Sequence, residues 1–269
     1  MIDQAIRRWK RKRRIARAEA EILARRGEPA PHGLRSPLIV SLTSYPARFG
    51  SLHLVLRSLL TQSVRADRVV LWLDEGDEHL LPPAVTSLGV ETRICPRWRS
   101  YKKIIPTLME WPEAHIVTAD DDIYYKPDWL AGLARHADAG VVCHRAHRIA
   151  LDPAGGPQPY GDWELNIDAP ECSPLVFPTG VGGVLYAPGI FHADVLRADL
   201  FQALAPTADD LWLYWMHRLR GSRPAKIGKR FRITEWPGTQ SQNLRAGNLN
   251  GDGNDQAIRA LTERYGFPR

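Results

Sequence analysis

Hydrophobic positions along the 269-residue chain change their period twice. Residues 2–26 place Ile2, Ile6, Trp9, Ala16, Ala20 and Leu23 at three- and four-residue steps, which predicts one amphipathic helix whose apolar stripe is interrupted by Arg13. A Pro- and Gly-rich break spans 27–37. From Leu38 short apolar runs alternate with helical stretches, the pattern of an α/β domain on a largely parallel sheet. The predicted strands are Leu38–Thr43, Arg68–Leu73, Glu91–Ile94, His115–Ala119 and 141–144. The predicted helices are 51–61, 101–111 with a kink at Pro106, and 127–137. After His147 the alternation fades, and 149–177 reads as a long insertion on the substrate side. A second ordered block follows: an apolar stretch at 174–187 interrupted by Gly180-Val181-Gly182-Gly183, then a helix at 208–219 with Thr207 as N-cap. The tail from Gly238 is polar and ends in a short helix near 255–265.

Composition narrows the class. With 44% hydrophobic and 25% charged residues, 21 Gly, 21 Pro and three Cys, the chain is neither fibrous, disordered nor a disulfide scaffold. Its net charge of +6 is unevenly spread: ten Lys and Arg face three acidic residues in the first 26 positions, so the remaining body carries 26 basic and 27 acidic side chains. The basicity is therefore an appendage, and nucleic acid is not the expected partner. No apolar run matches a signal peptide or a membrane span, which predicts a cytoplasmic protein. Cys95, Cys143 and Cys172 lack metal-type spacing and read as reduced thiols without a role.

Four constellations carry chemistry. Asp120-Asp121-Asp122 sits at the carboxyl end of an apolar strand, the rim where open α/β sheets bind ligands. Adjacent carboxylates repel, so the cluster favours a hard cation such as Mg2+ or Mn2+. Ser41 to Arg48 ends the first strand in hydroxyls, an aromatic ring and a guanidinium, a set suited to a base, ribose or phosphate. The glycine signatures of dinucleotide-binding and phosphate loops are absent there. Arg97-Trp98-Arg99-Ser100-Tyr101-Lys102-Lys103 forms a basic loop on the same rim, and Ala208-Asp209-Asp210 opens a helix with two carboxylates.

The ordered motifs resemble those of nucleotide-sugar glycosyltransferases of the GT-A fold, similar to bacterial family-2-like capsule and lipopolysaccharide transferases and, by motif order, to exostosin-type transferases. They are SLTSYPAR, LWL, YKK, TADDD, CHRAH, PYGDW, TGVGG and ADD, spanning about 38–217, with a weaker match around 240–255. The resemblance implies a single GT-A, Rossmann-like α/β domain with a mostly parallel sheet flanked by helices, preceded by a basic amphipathic helix and linker at 1–37. Residues 38–147 would form the nucleotide-sugar-binding half and 148–269 the acceptor-binding half with the tail. It further implies that Thr43, Tyr45 and Arg48 contact the nucleoside and that Asp74 lies at the base end of the pocket. Lys102 and Lys103 would approach uracil or diphosphate. Asp120 and its neighbour Asp121 would serve the donor, with Asp122 and Asp120 on Mn2+ or Mg2+. Arg145 would join the donor site, while Gly180, Gly182, Gly183, Trp163 and His147 would shape the acceptor site. Asp210, with Asp209 beside it, would be the carboxylate near the reacting sugar. It acts as general base if the enzyme inverts; if it retains, it stabilises the cationic face.

The expected partners are a nucleoside-diphosphate sugar, most simply a UDP-sugar, and a glycan or lipid-linked acceptor. An anionic membrane surface, met through residues 1–26 at the inner face, would be a third. Two alternatives use the same residues: a Mg2+-dependent phosphatase or nucleotidyltransferase, and a non-enzymatic module binding through the basic helix. Trp212, Trp215 and Trp236 are each as well explained by core packing as by sugar stacking.

Overall fold

The computed structural model describes residues 2–238 and 252–268. The predicted weaker motif match around 240–255 lies largely outside them. The described strands are β1 (Ala30–Pro31), β2 (Leu38–Thr43), β3 (Val64–Arg65), β4 (Arg68–Leu73), β5 (Glu91–Ile94), β6 (His115–Ala119), β7 (Val141–Cys143), β8 (Ala146–Arg148), β9 (Glu171–Cys172), β10 (Val176–Pro178), β11 (Val184–Tyr186) and β12 (Ala225–Lys226). The described α-helices are α1 (Ile2–Ala24), α2 (Phe49–Leu60), α3 (Pro83–Thr86), α4 (Ile105–Glu110), α5 (Trp129–Arg135), α6 (Ala198–Leu204), α7 (Asp209–Arg218) and α8 (Gly253–Tyr265).

Eight strands form the central sheet in the order β5-β4-β2-β6-β11-β7-β12-β9. β2 pairs in parallel with β4 and β6, and β4 with β5, so the carboxyl ends of these four strands share one rim. β11 is antiparallel to β6 and β7, while β12 runs parallel to β7, so six of the eight strands point one way. Both faces are covered. Ile39, Val70, Ile116, Val141 and Val184 enter one apolar cluster with α6, α7 and α8, and Leu38, Val40, Leu71, Val117 and Leu185 enter another with α2 and α5. This two-residue alternation between two buried faces explains why the strands read as nearly continuous apolar runs. The one polar interruption inside β2, Ser41, is satisfied: its hydroxyl is 2.7 Å from Thr107 Oγ1, which also accepts from Trp72 Nε1 at 2.8 Å.

Several local expectations change. The apolar stripe of α1 is not the face that docks: Ile6, Trp9, Ala16, Ala20 and Leu23 are exposed, whereas Ala18 and Ile22 are buried beside α2 with Ile15 half-buried. Pro106 does not kink its helix. The basic loop forms a 3-10 turn at Arg99–Lys103, and α4 then starts with Pro106 in its first turn, where a missing N–H costs nothing. The stretch 174–187 is two strands in different sheets rather than one, since β10 pairs with β8 and β11 with β6. The N-cap of α7 is Ala208 rather than Thr207, with no side-chain cap.

Candidate active site

The carboxyl ends of β2, β4 and β6 open into a cleft of about 700 Å³, closed from the other side by the 179–181 turn, the first turn of α7 and the 233–235 segment. Thr43, Tyr45 and Arg48 follow β2, Asp74 follows β4, and Asp120, Asp121 and Asp122 follow β6. Lys102 and Lys103 come from the 3-10 turn that packs under β2 and β4.

Ion pairs organise this rim. Arg48 donates to Asp121 Oδ1 at 2.5 Å and lies 3.2 Å from Asp122 Oδ2, while Ser44 donates to Asp121 Oδ2 at 2.6 Å. Asp121, buried at 4% exposure, is thus occupied at both oxygens and anchors the loop. Burial works against the Arg48 charge, but Asp121 and Asp122 outweigh it and hold the guanidinium above its ordinary range. The Arg48 guanidinium also lies 5.3 Å from the Tyr45 ring centroid. Lys102 donates to Asp74 at 2.8 Å. Lys103 reaches Asp120 at 3.3 Å and Asp209 at 3.2 Å, so one buried ammonium joins the aspartate cluster of β6 to that of α7. Burial disfavours its charge, yet Asp209, Asp120 and Asp210 raise its proton affinity.

The two α7 carboxylates differ. Asp209 accepts from Ser100 at 2.8 Å and faces Lys103. Asp210 accepts the Gly180 N–H at 2.9 Å, and burial, then the Asp209 charge, push its carboxyl up to about 7. Gly180 fits because a Cβ there would stand 2.7 Å from Lys103 Nζ and 2.8 Å from Asp210 Oδ1.

Beyond Gly180 the cleft continues past Arg145, which donates to Thr179 Oγ1 at 2.8 Å, to His147, Tyr160 and Phe177. Three predicted acceptor residues are placed elsewhere. Trp163 is 3% exposed, packs edge-on to Phe177 with centroids 5.1 Å apart, and donates its N–H to Gln158, so it backs the aromatic wall without reaching the cleft. Gly182 faces Phe231. Gly183, at φ +83°, leaves room for the Trp129 ring, whose Cζ2 would be 2.4 Å from a Cβ. These two glycines shape the turn behind the cleft. The lining also includes Ser44, Ser100, Tyr160 and Glu235, which sequence reasoning left without a role. Tyr160 lies in the quoted PYGDW motif, while Glu235 carries no local signal: it arrives through a bridge to Ile123.

Among the described residues no group of three His, Cys, Asp or Glu side chains is arranged as a metal cage. The donor chemistry nonetheless suits a divalent ion that completes its shell with water and ligand oxygens. Asp120 and Asp122 both face the cleft, and burial, then the Asp120 charge, push Asp122 up to about 7, marking negative charge that a cation would relieve.

No family model and no curated protein matches the sequence. Among solved structures, a mannosyltransferase from Pyrobaculum calidifontis in complex with GDP-Man and Mn2+ is similar at a TM-score of 0.51 and 13% identity, covering 97% of this chain and 73% of that one. GalNAc-T7 with UDP, GalNAc and Mn2+ gives 0.48 and 12%, covering 85% and 48% of the two chains. A 4-diphosphocytidyl-2C-methyl-D-erythritol synthase gives 0.49 and 14%, covering 81% and 98%. The mannosyltransferase match accords with the mixed α/β architecture and its mostly parallel central sheet, and places the chain among GT-A, Rossmann-like α/β folds.

Proposed function

We propose that the chain is a metal-dependent glycosyltransferase that moves a sugar from a nucleoside diphosphate to an acceptor hydroxyl. The observation carrying this reading is Lys103, which brings the β6 aspartates and the α7 aspartates to opposite sides of one cleft. Donor and acceptor chemistry need such a division. Tyr45, Arg48 and Thr43 would hold the nucleoside, with Asp74 at the base end. Lys102 and Lys103 would face the diphosphate. Asp120 and Asp122 would hold Mn2+ or Mg2+, which when bound neutralises charge developing on the leaving diphosphate. Asp121 holds Arg48 and the loop in place.

Transfer breaks the bond from the anomeric carbon to the diphosphate oxygen and forms one to the acceptor oxygen, releasing a proton. Asp210 is the base we assign to that proton. It stands beside the Gly180 backbone, and a carboxyl near 7 is matched to accepting a proton at neutral pH. Asp209, engaged by Ser100 and Lys103, keeps its neighbour in place. The aromatic wall of His147, Tyr160 and Phe177 is suited to a sugar face of a glycan or lipid-linked acceptor. The basic amino-terminal helix would hold the enzyme against anionic lipid, a peripheral site in the cytoplasm, and the division at 37 and 147 would separate helix, donor half and acceptor half.

A thermal-shift and calorimetric panel of UDP, GDP, CMP, their sugars and the nucleoside triphosphates, with and without Mn2+ and with the released products identified, tests the proposal. Binding of one nucleoside diphosphate that requires the ion, with slow release of that diphosphate from its sugar ester, is expected. Release of pyrophosphate from a nucleoside triphosphate in place of sugar transfer would replace it with nucleotidyl transfer.

A further inference from the structure

The aspartate loop that follows β6 has no regular structure until α5 begins at Trp129, yet it must hold Asp120 and Asp122 still. Ser44, Arg48 and Lys103 hold its carboxylates, and further contacts hold its backbone. The Tyr125 hydroxyl accepts the Asp120 N–H at 2.6 Å, Tyr124 N donates to Thr234 O at 2.9 Å, and Trp236 N donates to Asp122 O at 2.9 Å. Tyr125 therefore clasps the loop at its start, and whatever holds Tyr125 bears on the backbone of Asp120.

That support comes from outside the α/β body. Arg25, just past the end of α1, has a side chain only 8% exposed. One nitrogen of its guanidinium donates to Tyr125 O at 2.7 Å and to the Tyr124 hydroxyl at 3.0 Å. The other donates to Ser58 O at 3.0 Å and Thr61 Oγ1 at 3.2 Å, in the last turn of α2 and at its C-cap. The guanidinium is 5.5 Å from the Tyr124 ring centroid, and Glu21 one turn earlier lies 3.8 Å away. A cation at the carboxyl end of a helix is favoured by the dipole, and a planar fork of five donors can serve two segments at once. α1 meets the same region again near its middle, where Arg11 lies 3.9 Å from Glu235, the residue bridged to Ile123.

We infer that Arg25 is a positioning residue that clamps the 120–125 loop to α2, so that its guanidinium fork, delivered by the end of α1, steadies the geometry of Asp120 and Asp122. Gln62 makes a parallel tie at the next residue, joining Ser58 O to Lys126 O, so Arg25 and the body together fix the 124–126 end of the loop, and the Tyr125 hydroxyl carries that hold back to the Asp120 N–H. The first 26 residues are thus joined to the chemistry of the cleft, contrary to the expectation of a separate appendage. The functional half of this inference rests on the proposed metal-diphosphate role of the loop; the structural half does not.

Two measurements on the full chain keep these apart. Arg25→Lys retains charge and stem but not the fork, and Arg25→Ala removes both; Ile22→Ala weakens α1 docking while leaving the guanidinium contacts. In ligand-free protein, amide hydrogen exchange over 119–126 should accelerate at least tenfold in both Arg25 variants and stay within twofold in Ile22→Ala, with β2 and β4 unchanged. Equal exchange in all three variants overturns the inference. In the second measurement, the Mn2+ concentration giving half-maximal nucleotide binding should rise about tenfold in Arg25→Lys, with turnover at saturating Mn2+ within threefold of wild type. An unchanged Mn2+ midpoint alongside faster exchange would overturn the link to the metal site. Failure of wild type to bind any nucleotide with Mn2+ would overturn the glycosyltransferase reading, and exchange alone would then decide the role of Arg25.

Discussion

At Gly180 the backbone and the chemistry come closest, since a single methyl group on its Cα would collide with both Lys103 and Asp210. Gly180→Ala should therefore displace the base or the ammonium by roughly half an ångström, and because misplacement by about 1 Å costs about 10²-fold in rate, a loss of about tenfold in turnover is expected. Gly183→Ala makes the useful contrast. There a Cβ would press on the buried Trp129 ring in a backbone conformation that disfavours side chains, for a stability loss of about 2–4 kcal/mol. Turnover and melting temperature measured on both variants should separate: Gly180→Ala loses activity with little change in melting, and Gly183→Ala does the reverse. Matching losses in both measurements would show that the turn acts as one structural unit. Sequence alone placed both glycines in an acceptor floor. It could not distinguish them, because the discriminating groups, Asp210 and Trp129, come from distant helices.

Elements were legible where burial was two-sided. β2, β4 and β6 match the predicted spans because most of their side chains alternate between two apolar clusters, with Ser41 and Thr118 as buried polar exceptions; β5, an edge strand of sequence Glu91-Thr92-Arg93-Ile94, enters neither cluster yet also matches its predicted span. Pairs of two or three residues such as β8 with β10, or β9 and β12, are too short to show a period, and they were missed. For α1 the period was correct and the face was not. Its docking residues are Ala18, Ile22 and Arg25, and an arginine does not register as an apolar contact although its stem is buried. The remaining face, exposing Arg8, Lys10, Lys12, Arg13 and Arg14 around a Trp9 that is 55% exposed, is what our reading turns toward lipid. Each such cation contributes about 1 kcal/mol near an anionic leaflet. Full-length protein should sediment with vesicles containing phosphatidylserine and not with phosphatidylcholine alone, and replacing Arg8, Lys10, Arg13 and Arg14 with Ser should abolish it. Equal sedimentation with both vesicles, or no loss on replacement, would remove the lipid role. Among the described residues no helix is long and apolar enough to cross a membrane.

On the scale of the whole molecule, charge is arranged by function more than by amount. The body is nearly neutral, yet seven carboxylates and five Lys or Arg side chains line one cleft, leaving it negative where a diphosphate is proposed to bind. That imbalance favours entry of the anion together with a divalent cation. It also makes the cleft a source of strain in the free protein, and Asp210 allows this to be read out. Its carboxyl is held near 7 against an ordinary value of 3.8, first by burial and then by Asp209, so the folded protein retains a proton that the unfolded chain releases. The stability associated with that proton is complete below about pH 3.8, declines as pH rises, and is gone above about 7. The slope is at most about 1.4 kcal/mol per pH unit. Asp210→Asn carries no such proton. Its denaturation midpoint, measured without metal, should gain on wild type between pH 4 and 8, while turnover of wild type rises over the same interval to a plateau above 7 as the base ionises. Parallel stability curves for the two proteins would show that Asp210 is an ordinary carboxylate, and a turnover profile flat through pH 7 would remove it as the base.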